Sequence, residues 1–154
     1  MDHLIKSLLS LAETSNLKIS FVIAGGGIGL FDLFKIEGCS RVLTEARLLY
    51  SETALKGFLH GNNVDSFVSR ETADQLAISM SEKSEADISF ALTCALKTNR
   101  QRKGKDHGYL SICRENQIVE RSYMTIEGES RIDQDKFITH EVLASLNKYL
   151  VLNE

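Results

Sequence analysis

The chain has 154 residues, of which 43% are hydrophobic and 25% charged, a size and composition typical of one globular domain with its own core. Its formal net charge of −3 argues against a general nucleic-acid-binding protein, and no apolar run approaches the roughly 18 residues of a membrane span. Cys39, Cys94 and Cys113 fit neither a disulfide framework nor a zinc pattern, so we expect reduced thiols and a cytoplasmic location. We also expect no membrane association and no cofactor.

Helices and strands alternate along most of the sequence. Apolar residues at helical spacing, with Asp2 as the cap, predict an opening helix that ends near Asn16. The further predicted elements are a strand at 18–23, a short buried helix at 30–34, a strand at 42–50, helices at 51–59 and from Ser69, a strand at 88–96, a hairpin of strands 109–113 and 117–126, and a helix from about Asp133. This order predicts one domain over residues 1–154, a three-layer α/β/α sandwich around a mixed, mostly parallel sheet with one antiparallel strand.

The sharpest local feature is the run of residues 25–29, Gly-Gly-Gly-Ile-Gly, after the first strand. Glycines at such a junction let the backbone approach a ligand, and the next helix would offer free N–H groups to an anion. The run is not a dinucleotide fingerprint, because Leu30 stands where a third glycine is required, and no Gly-Lys-Ser/Thr follows as in a P-loop. Two interpretations remain: Gly25, Gly26 and Gly27 are the floor of a small-molecule pocket, or they are a tight turn that packs closely.

A basic loop follows the strand at 88–96. Its four cations are Arg100, Arg102, Lys103 and Lys105. Such a loop contacts a phosphate, an acidic partner or RNA, or it is a solvated loop tip, which is the commoner outcome. Its place after a central strand keeps the first interpretation open, because open α/β sheets bind ligands beyond the carboxyl ends of their strands.

Tyr50 and Ser51 stand at a strand-to-helix junction, which we expect at the same edge of the sheet. The alternative interpretation makes Ser51 a helix N-cap and Tyr50 a partly buried ring. Thr93 and Cys94 lie within the strand at 88–96, where most such residues fill the core, and Cys94 would need an activating histidine to be a nucleophile.

Taken in order, these segments resemble the CinA C-terminal domain family, whose characterised members are nicotinamide mononucleotide deamidases. The likeness runs from about Leu17 to Leu150, and the family's Ala-Glu-Ser-Cys-Thr-Gly-Gly, Tyr-Ser-Asn-Glu-Ala-Lys, Val-Ser and Ala-Asp blocks correspond to residues 21–27, 50–55, 68–69 and 86–87. The resemblance implies the family's fold and a homo-oligomer. Many family members carry a larger N-terminal domain of the molybdopterin-binding type, and we expect this chain to be a stand-alone domain. The ligand-binding residues implied by the resemblance and the glycine run are Gly25, Gly26, Gly27, Tyr50, Ser51, Thr93 and, near the family's Gly-Asp-Arg turn, Arg131.

The departures from the family pattern fall on its active site. Ile23 stands where the family has its proposed nucleophilic serine, and Leu55 stands where it has a lysine. The family's Thr/Ser-Gly-Ile-Ala-Gly-Pro loop corresponds to residues 93–98, which lack the two glycines and the proline. Isoleucine cannot attack an amide, and leucine cannot act as a base or bind a phosphate. The resemblance therefore implies no catalytic residue at either position.

Three functions follow as hypotheses. The first is a catalytically inactive homologue of the deamidases that keeps a pocket for a nucleotide or another small molecule. The second is an active amidohydrolase on a nicotinamide-nucleotide-like substrate, with its chemistry relocated to Tyr50, Ser51 or Thr93. The third is a protein-interaction module whose basic loop, residues 100–105, binds an acidic partner.

Overall fold

The computed structural model describes residues 1–59, 64–98 and 105–153. Its elements are, in chain order, α1 (Asp2–Thr14), β1 (Ile19–Ala24), a 3₁₀ helix (Ile28–Lys35), a short 3₁₀ turn (Cys39–Arg41), β2 (Leu43–Leu49), α2 (Glu52–Leu59), α3 (Arg70–Lys83), β3 (Ile88–Ala95), β4 (His107–Arg114), β5 (Gln117–Thr125) and α4 (Arg131–Leu152). The helices in these ranges are all too short or too polar to cross a lipid bilayer.

The five strands form one sheet in the order β2-β1-β3-β4-β5. β1 pairs in parallel with β2 and β3, whereas β4 is antiparallel to both of its neighbours. Four strands therefore run in one direction and β4 in the other, which confirms the predicted mixed sheet with one antiparallel strand. Because β2 and β3 flank β1 on opposite sides, the chain reverses its direction of winding at the end of β1. Open α/β sheets form their ligand crevices at such a reversal.

Two apolar cores lie on opposite faces of this sheet. β1 is buried along its whole length, and alternate side chains serve each core: Phe21 and Ile23 on one face, Val22 and Ala24 on the other. The first core also holds residues of α1, the 3₁₀ helix and α4, and the second holds residues of α2 and α3. The two helical layers and the sheet between them confirm the three-layer sandwich.

Three local details refine the predicted elements. The short helix after the glycine run is a 3₁₀ helix. α4 begins at Arg131, two residues before the predicted start, because the Ser130 side chain accepts the Asp133 N–H at 3.1 Å and so caps the helix. The hairpin turns at Glu115 and Asn116, between the two predicted strands, and their φ angles of 55° and 61° are those of a two-residue turn that follows the twist of the strands.

Candidate functional site

A cleft of about 510 Å³ opens at the carboxyl edge of the sheet, where β1 and β2 end and α4 begins. Three of the predicted ligand-binding residues, Gly26, Tyr50 and Arg131, line it. The exposed side chains of Ile28 and Ile132 form part of its rim. The topology accounts for this arrangement, because parallel strands bring the residues after their carboxyl ends to one edge of the sheet.

Arg131 connects the ends of three strands. Its Nη2 donates to the Tyr50 Oη at 2.7 Å and to the Gly25 carbonyl at 2.9 Å, and its Nη1 donates to the Lys97 carbonyl at 2.9 Å. The guanidinium carbon also lies 5.9 Å from the centre of the Tyr50 ring. Tyr50 is 62% exposed, so one edge of its ring is fixed by Arg131 while most of it faces the cleft and solvent. The Tyr50 ring is thus more exposed than the alternative interpretation, a partly buried ring, implied.

The sequence suggested free N–H groups at the start of the helix that follows β1. In the structure a carboxylate from α4 accepts hydrogen bonds from the N–H groups of Gly27, Ile28 and Gly29. Asp135 Oδ1 accepts hydrogen bonds from the Gly27 and Ile28 N–H groups at 2.7 and 3.0 Å, and its Oδ2 accepts from the Gly29 N–H at 3.0 Å. These groups form the kind of turn that binds anions in other proteins. Here the chain supplies the anion itself, more than a hundred residues further along the sequence.

Close packing explains why glycines are needed in this turn. Gly25 has a φ angle of +91°, and a Cβ on it would lie 2.2 Å from the Cys94 carbonyl oxygen. A Cβ on Gly26 would lie 2.6 Å from Leu96 Cδ1 and 2.8 Å from Cys94 Sγ. The interpretation as a tight, closely packed turn is therefore correct for these two residues, and it is compatible with Gly26 lining the cleft.

The other predicted hydroxyl groups have structural partners. The Ser51 Oγ accepts the Ala54 N–H at 3.1 Å and so caps α2, as its alternative interpretation predicted. Thr93 is fully buried, and its Oγ1 donates to the Phe67 carbonyl at 2.5 Å. Thr93 alternates with residues of the first core along β3, so its side chain points to the opposite face of the sheet. The structure does not bring it to the cleft.

The two positions that the resemblance associates with catalysis are both in the cores. Ile23 has no exposed surface and belongs to the core between the sheet and the layer of α1 and α4. Leu55 is 3% exposed and belongs to the core on the other face. The two side chains therefore lie in separate cores, and neither lines the cleft.

Cys94 lies directly beneath the glycine turn and has only 2% of its surface exposed. Burial raises the pKa of its thiol from 9.0 to about 12, and the negative charge of Asp135 adds to the rise. A thiol of this kind is protonated at neutral pH and is a poor nucleophile.

The basic loop lies mostly outside the described residues. Arg100, Arg102 and Lys103 are in the range 99–104 and Lys105 is described, with an exposed side chain. The prediction that this loop binds a phosphate or a partner therefore stays a prediction.

Sequence reasoning missed Asp135 and Lys136, which line the cleft beside Arg131. Residues four apart share one face of a helix, so Arg131 and Asp135 project toward the same edge of the sheet. A helix predicted to start at Asp133 hides this relation, since Arg131 then falls in the preceding loop. The Ser130 cap is the sequence signal that would have revealed it.

Several solved structures share this fold. A CinA superfamily protein from Klebsiella pneumoniae superposes with a TM-score of 0.87 at 15% identity, and the match covers 97% of this chain and 96% of that one. A competence or damage-inducible protein from Enterobacter asburiae matches with a TM-score of 0.85 at 21% identity, covering 96% of both chains. The competence/damage inducible protein CihA from Agrobacterium tumefaciens matches with a TM-score of 0.81 at 21% identity, covering 99% of this chain and 95% of that chain.

At these identities the structural likeness shows the fold alone. No curated protein matches the sequence. The model of the CinA C-terminal domain, however, matches residues 1–150, almost the entire chain. The chain belongs to the CinA C-terminal domain family.

Proposed function

We propose that this chain is a non-catalytic member of its family that binds a small molecule in the cleft at the carboxyl edge of the sheet. The observation that carries the proposal is Ile23. This residue stands where the resemblance places a nucleophilic serine, and it is fully buried in an apolar core. Loss of a nucleophile typically lowers an enzyme's rate by several orders of magnitude.

The hydroxyl and thiol groups near the cleft support the same conclusion. Tyr50 Oη accepts a hydrogen bond from Arg131, and Ser51 Oγ caps α2. Thr93 donates to a backbone carbonyl on the far face of the sheet, and the raised pKa of Cys94 keeps its thiol protonated. Each candidate nucleophile therefore has a structural role or an unreactive protonation state. A relocated amidohydrolase remains the alternative function.

The lining of the cleft favours a planar ligand with an apolar part. The exposed Tyr50 ring offers a stacking surface, and Ile28 and Ile132 offer apolar contact at the rim. Asp135 already occupies the N–H groups of the glycine turn, so an anionic group on the ligand would pair with Lys136 at the cleft's side instead. A nicotinamide nucleotide has the required ring and charge.

The decisive experiment pairs a binding measurement with an activity measurement on the same ligand. Nicotinamide mononucleotide is titrated against the protein by isothermal titration calorimetry, and ammonia release is followed separately at millimolar substrate. We expect binding without ammonia release, and at least fivefold weaker binding in Tyr50→Ala because the ring surface is lost. Val119→Ala, which truncates an exposed residue of β5 outside the cleft, is the matched control and should bind as the wild type does.

Two outcomes would overturn the proposal. Steady ammonia release that disappears in Tyr50→Phe or Ser51→Ala would establish the relocated amidohydrolase. Absence of binding at millimolar ligand would remove the small-molecule function and leave the interaction module, which the salt dependence of partner capture then tests.

The homo-oligomer and the cytoplasmic location are further proposals that rest on the family resemblance and on the composition. Light scattering on the purified chain measures the first directly. An oligomer would appear as a mass that is a multiple of the 17.2 kDa chain.

A further inference from the structure

A second concave surface lies on the antiparallel hairpin of β4 and β5, and it shares no lining residue with the first cleft. It has a volume of about 440 Å³ and is lined by β4, β5 and the first residue of α3, Arg70. Tyr109, Tyr123 and Arg121 project into it. None of these residues lines the cleft described above.

Aromatic rings form one half of this surface. Tyr109 and Tyr123 are directly opposite each other on β4 and β5, with ring centres 5.2 Å apart in an edge-to-face arrangement. The His107 ring lies 5.7 Å from Tyr109 and 6.1 Å from Tyr123. Tyr123 is nonetheless 60% exposed, so the three rings form a cluster that solvent still reaches. Rings held by their neighbours lose little freedom when a further ring stacks on them.

Guanidinium groups form the other half. Arg121 Nε donates to both carboxylate oxygens of Asp74 at 3.1 Å, and Arg121 Nη2 donates to Asp74 Oδ2 at 3.0 Å. The buried Ser111 hydroxyl donates to Asp74 Oδ1 at 2.6 Å. This arrangement fixes the Arg121 side chain on the sheet, and the hydrogen bond to Asp74 raises the pKa of Arg121. Arg70, the first residue of α3, lines the mouth of the same surface and supplies a second guanidinium group.

The spacing of these groups defines the ligand. Tyr123 and Arg121 are two residues apart on one face of β5, which places their Cα atoms about 7 Å apart. A ring that stacks on Tyr123 would therefore hold an attached anionic group within reach of the guanidinium groups. We propose that this surface, formed by Arg70, Tyr109, Arg121 and Tyr123, is a second binding site, for a planar aromatic ring that carries a phosphate group.

The site is independent of the proposed function, because it uses other residues and another face of the sheet. The ligand chemistry has two sources, a nucleotide or a simple aryl phosphate. Adenosine 5′-monophosphate and phenyl phosphate represent them. Two half-ligands serve as controls: adenosine, which lacks the phosphate, and ribose 5-phosphate, which lacks the aromatic ring.

The test is a titration of the four compounds by calorimetry, with the amide signals of β4 and β5 followed by NMR. We expect adenosine 5′-monophosphate, phenyl phosphate or both to bind at least tenfold more tightly than adenosine and ribose 5-phosphate, because stacking and charge pairing act together. The signals that move should be those of residues near Tyr109 and Tyr123. Tighter binding of adenosine 5′-monophosphate would identify the ligand class as nucleotides, and tighter binding of phenyl phosphate would identify it as simple aryl phosphates.

Two variants locate the binding. Tyr123→Val removes the ring and keeps a residue that favours strands, and Arg70→Gln removes the charge and keeps a good helix former. Each should weaken binding of adenosine 5′-monophosphate or phenyl phosphate, whichever binds, about tenfold. Tyr50→Ala in the first cleft is the control, and it should leave this binding unchanged while it weakens binding of nicotinamide mononucleotide.

The proposal fails if neither adenosine 5′-monophosphate nor phenyl phosphate binds at millimolar concentration. It also fails if both variants bind these compounds as the wild type does, or if the half-ligands bind equally well. A loss of self-association in Tyr123→Val without binding of either compound would likewise overturn it, and would make the ring cluster an interface between copies of the chain.

Discussion

Gly25 follows β1 directly and has a φ angle of +91°. A Cβ at this position would lie 2.2 Å from the Cys94 carbonyl oxygen. We expect Gly25→Ala to destabilise the protein by about 3 kcal/mol, because the variant has both a left-handed backbone strain and a steric overlap. Gly57 in α2 is the matched control: a Cβ there meets nothing within 4 Å, so Gly57→Ala should stabilise the protein by about 0.5–1 kcal/mol. Thermal unfolding of both variants measures the contrast, and equal effects would contradict it.

Ile23 stands where the family resemblance implies a nucleophilic serine. Restoring the family's residue with Ile23→Ser should not produce a nucleophile, because the side chain points into a closed apolar core. We expect a loss of about 3–5 kcal/mol from the cavity and the buried hydroxyl, against about 1 kcal/mol for Ile23→Val. Urea unfolding gives the free energies, and an ammonia-release assay gives the activity. Any turnover in Ile23→Ser above the wild-type background would contradict the inactive site.

The raised pKa of Cys94 predicts that the free energy of unfolding falls at alkaline pH. Its pKa is about 12 in the folded protein and 9.0 in an unfolded chain, so the folded state retains the proton more strongly. This contribution to stability is complete below pH 9 and is lost as the pH rises toward 12. The advantage of wild type over Cys94→Ala in urea unfolding should therefore shrink between pH 9 and 11. Cys39→Ala is the control, because Cys39 is only partly buried. An unchanged advantage at pH 11 would refute the assignment.

At the scale of elements, Asp135 connects α4 to the turn that follows β1. Asp135→Ala removes the acceptor of three N–H groups and should cost about 2–3 kcal/mol, and Asp135→Asn should cost less because one oxygen remains. Asp32→Ala removes a surface ion pair with Lys35 and should cost under about 1 kcal/mol. Hydrogen exchange should quicken at the amides of residues 27–29 in Asp135→Ala alone. Equal costs for the two alanine variants would show that this contact contributes little.

Elements defined by local signals could be predicted from the sequence. Serine caps at Ser51 and Ser69 and the turn at Glu115 and Asn116 are found where the sequence indicates them, because each depends on residues within a few positions. The mixed sheet also followed from the order of helices and strands. The fold class thus rests on local chemistry and on general rules of connection.

The candidate site could be predicted only in part. Tyr50, Arg131 and Gly26 were found because strand ends and a family motif mark them, and the topology then brings them together. The Asp135 contact joins residues 106–108 positions apart, and no local pattern encodes such a pairing. Thr93 was assigned to the site by its motif position, but the alternation of β3 turns it to the other face. The face of the sheet on which a side chain lies, and the contacts between residues far apart in the sequence, can be read only from the three-dimensional structure.

At the scale of the whole molecule, the two cores are coupled through shared strands. β1 and β3 contribute alternate side chains to each face, as Phe90 and Ala91 show. The helices on one face therefore cannot separate without exposing strands whose other face is still packed. Such sharing favours a single cooperative transition over stepwise loss of layers.

This coupling predicts how a cavity-forming substitution in either core changes the unfolding transition. Leu143→Ala in α4 and Leu76→Ala in α3 truncate fully buried residues in different cores, and each should cost about 2–5 kcal/mol. Both variants should show one urea transition, at a lower midpoint and with an unchanged slope, that coincides in circular dichroism and tyrosine fluorescence. The exposed Leu152→Ala, at the end of α4, should unfold as the wild type does. A second transition in either core variant would mean that its layer unfolds independently, and the shared strands would then not transmit stability between the faces.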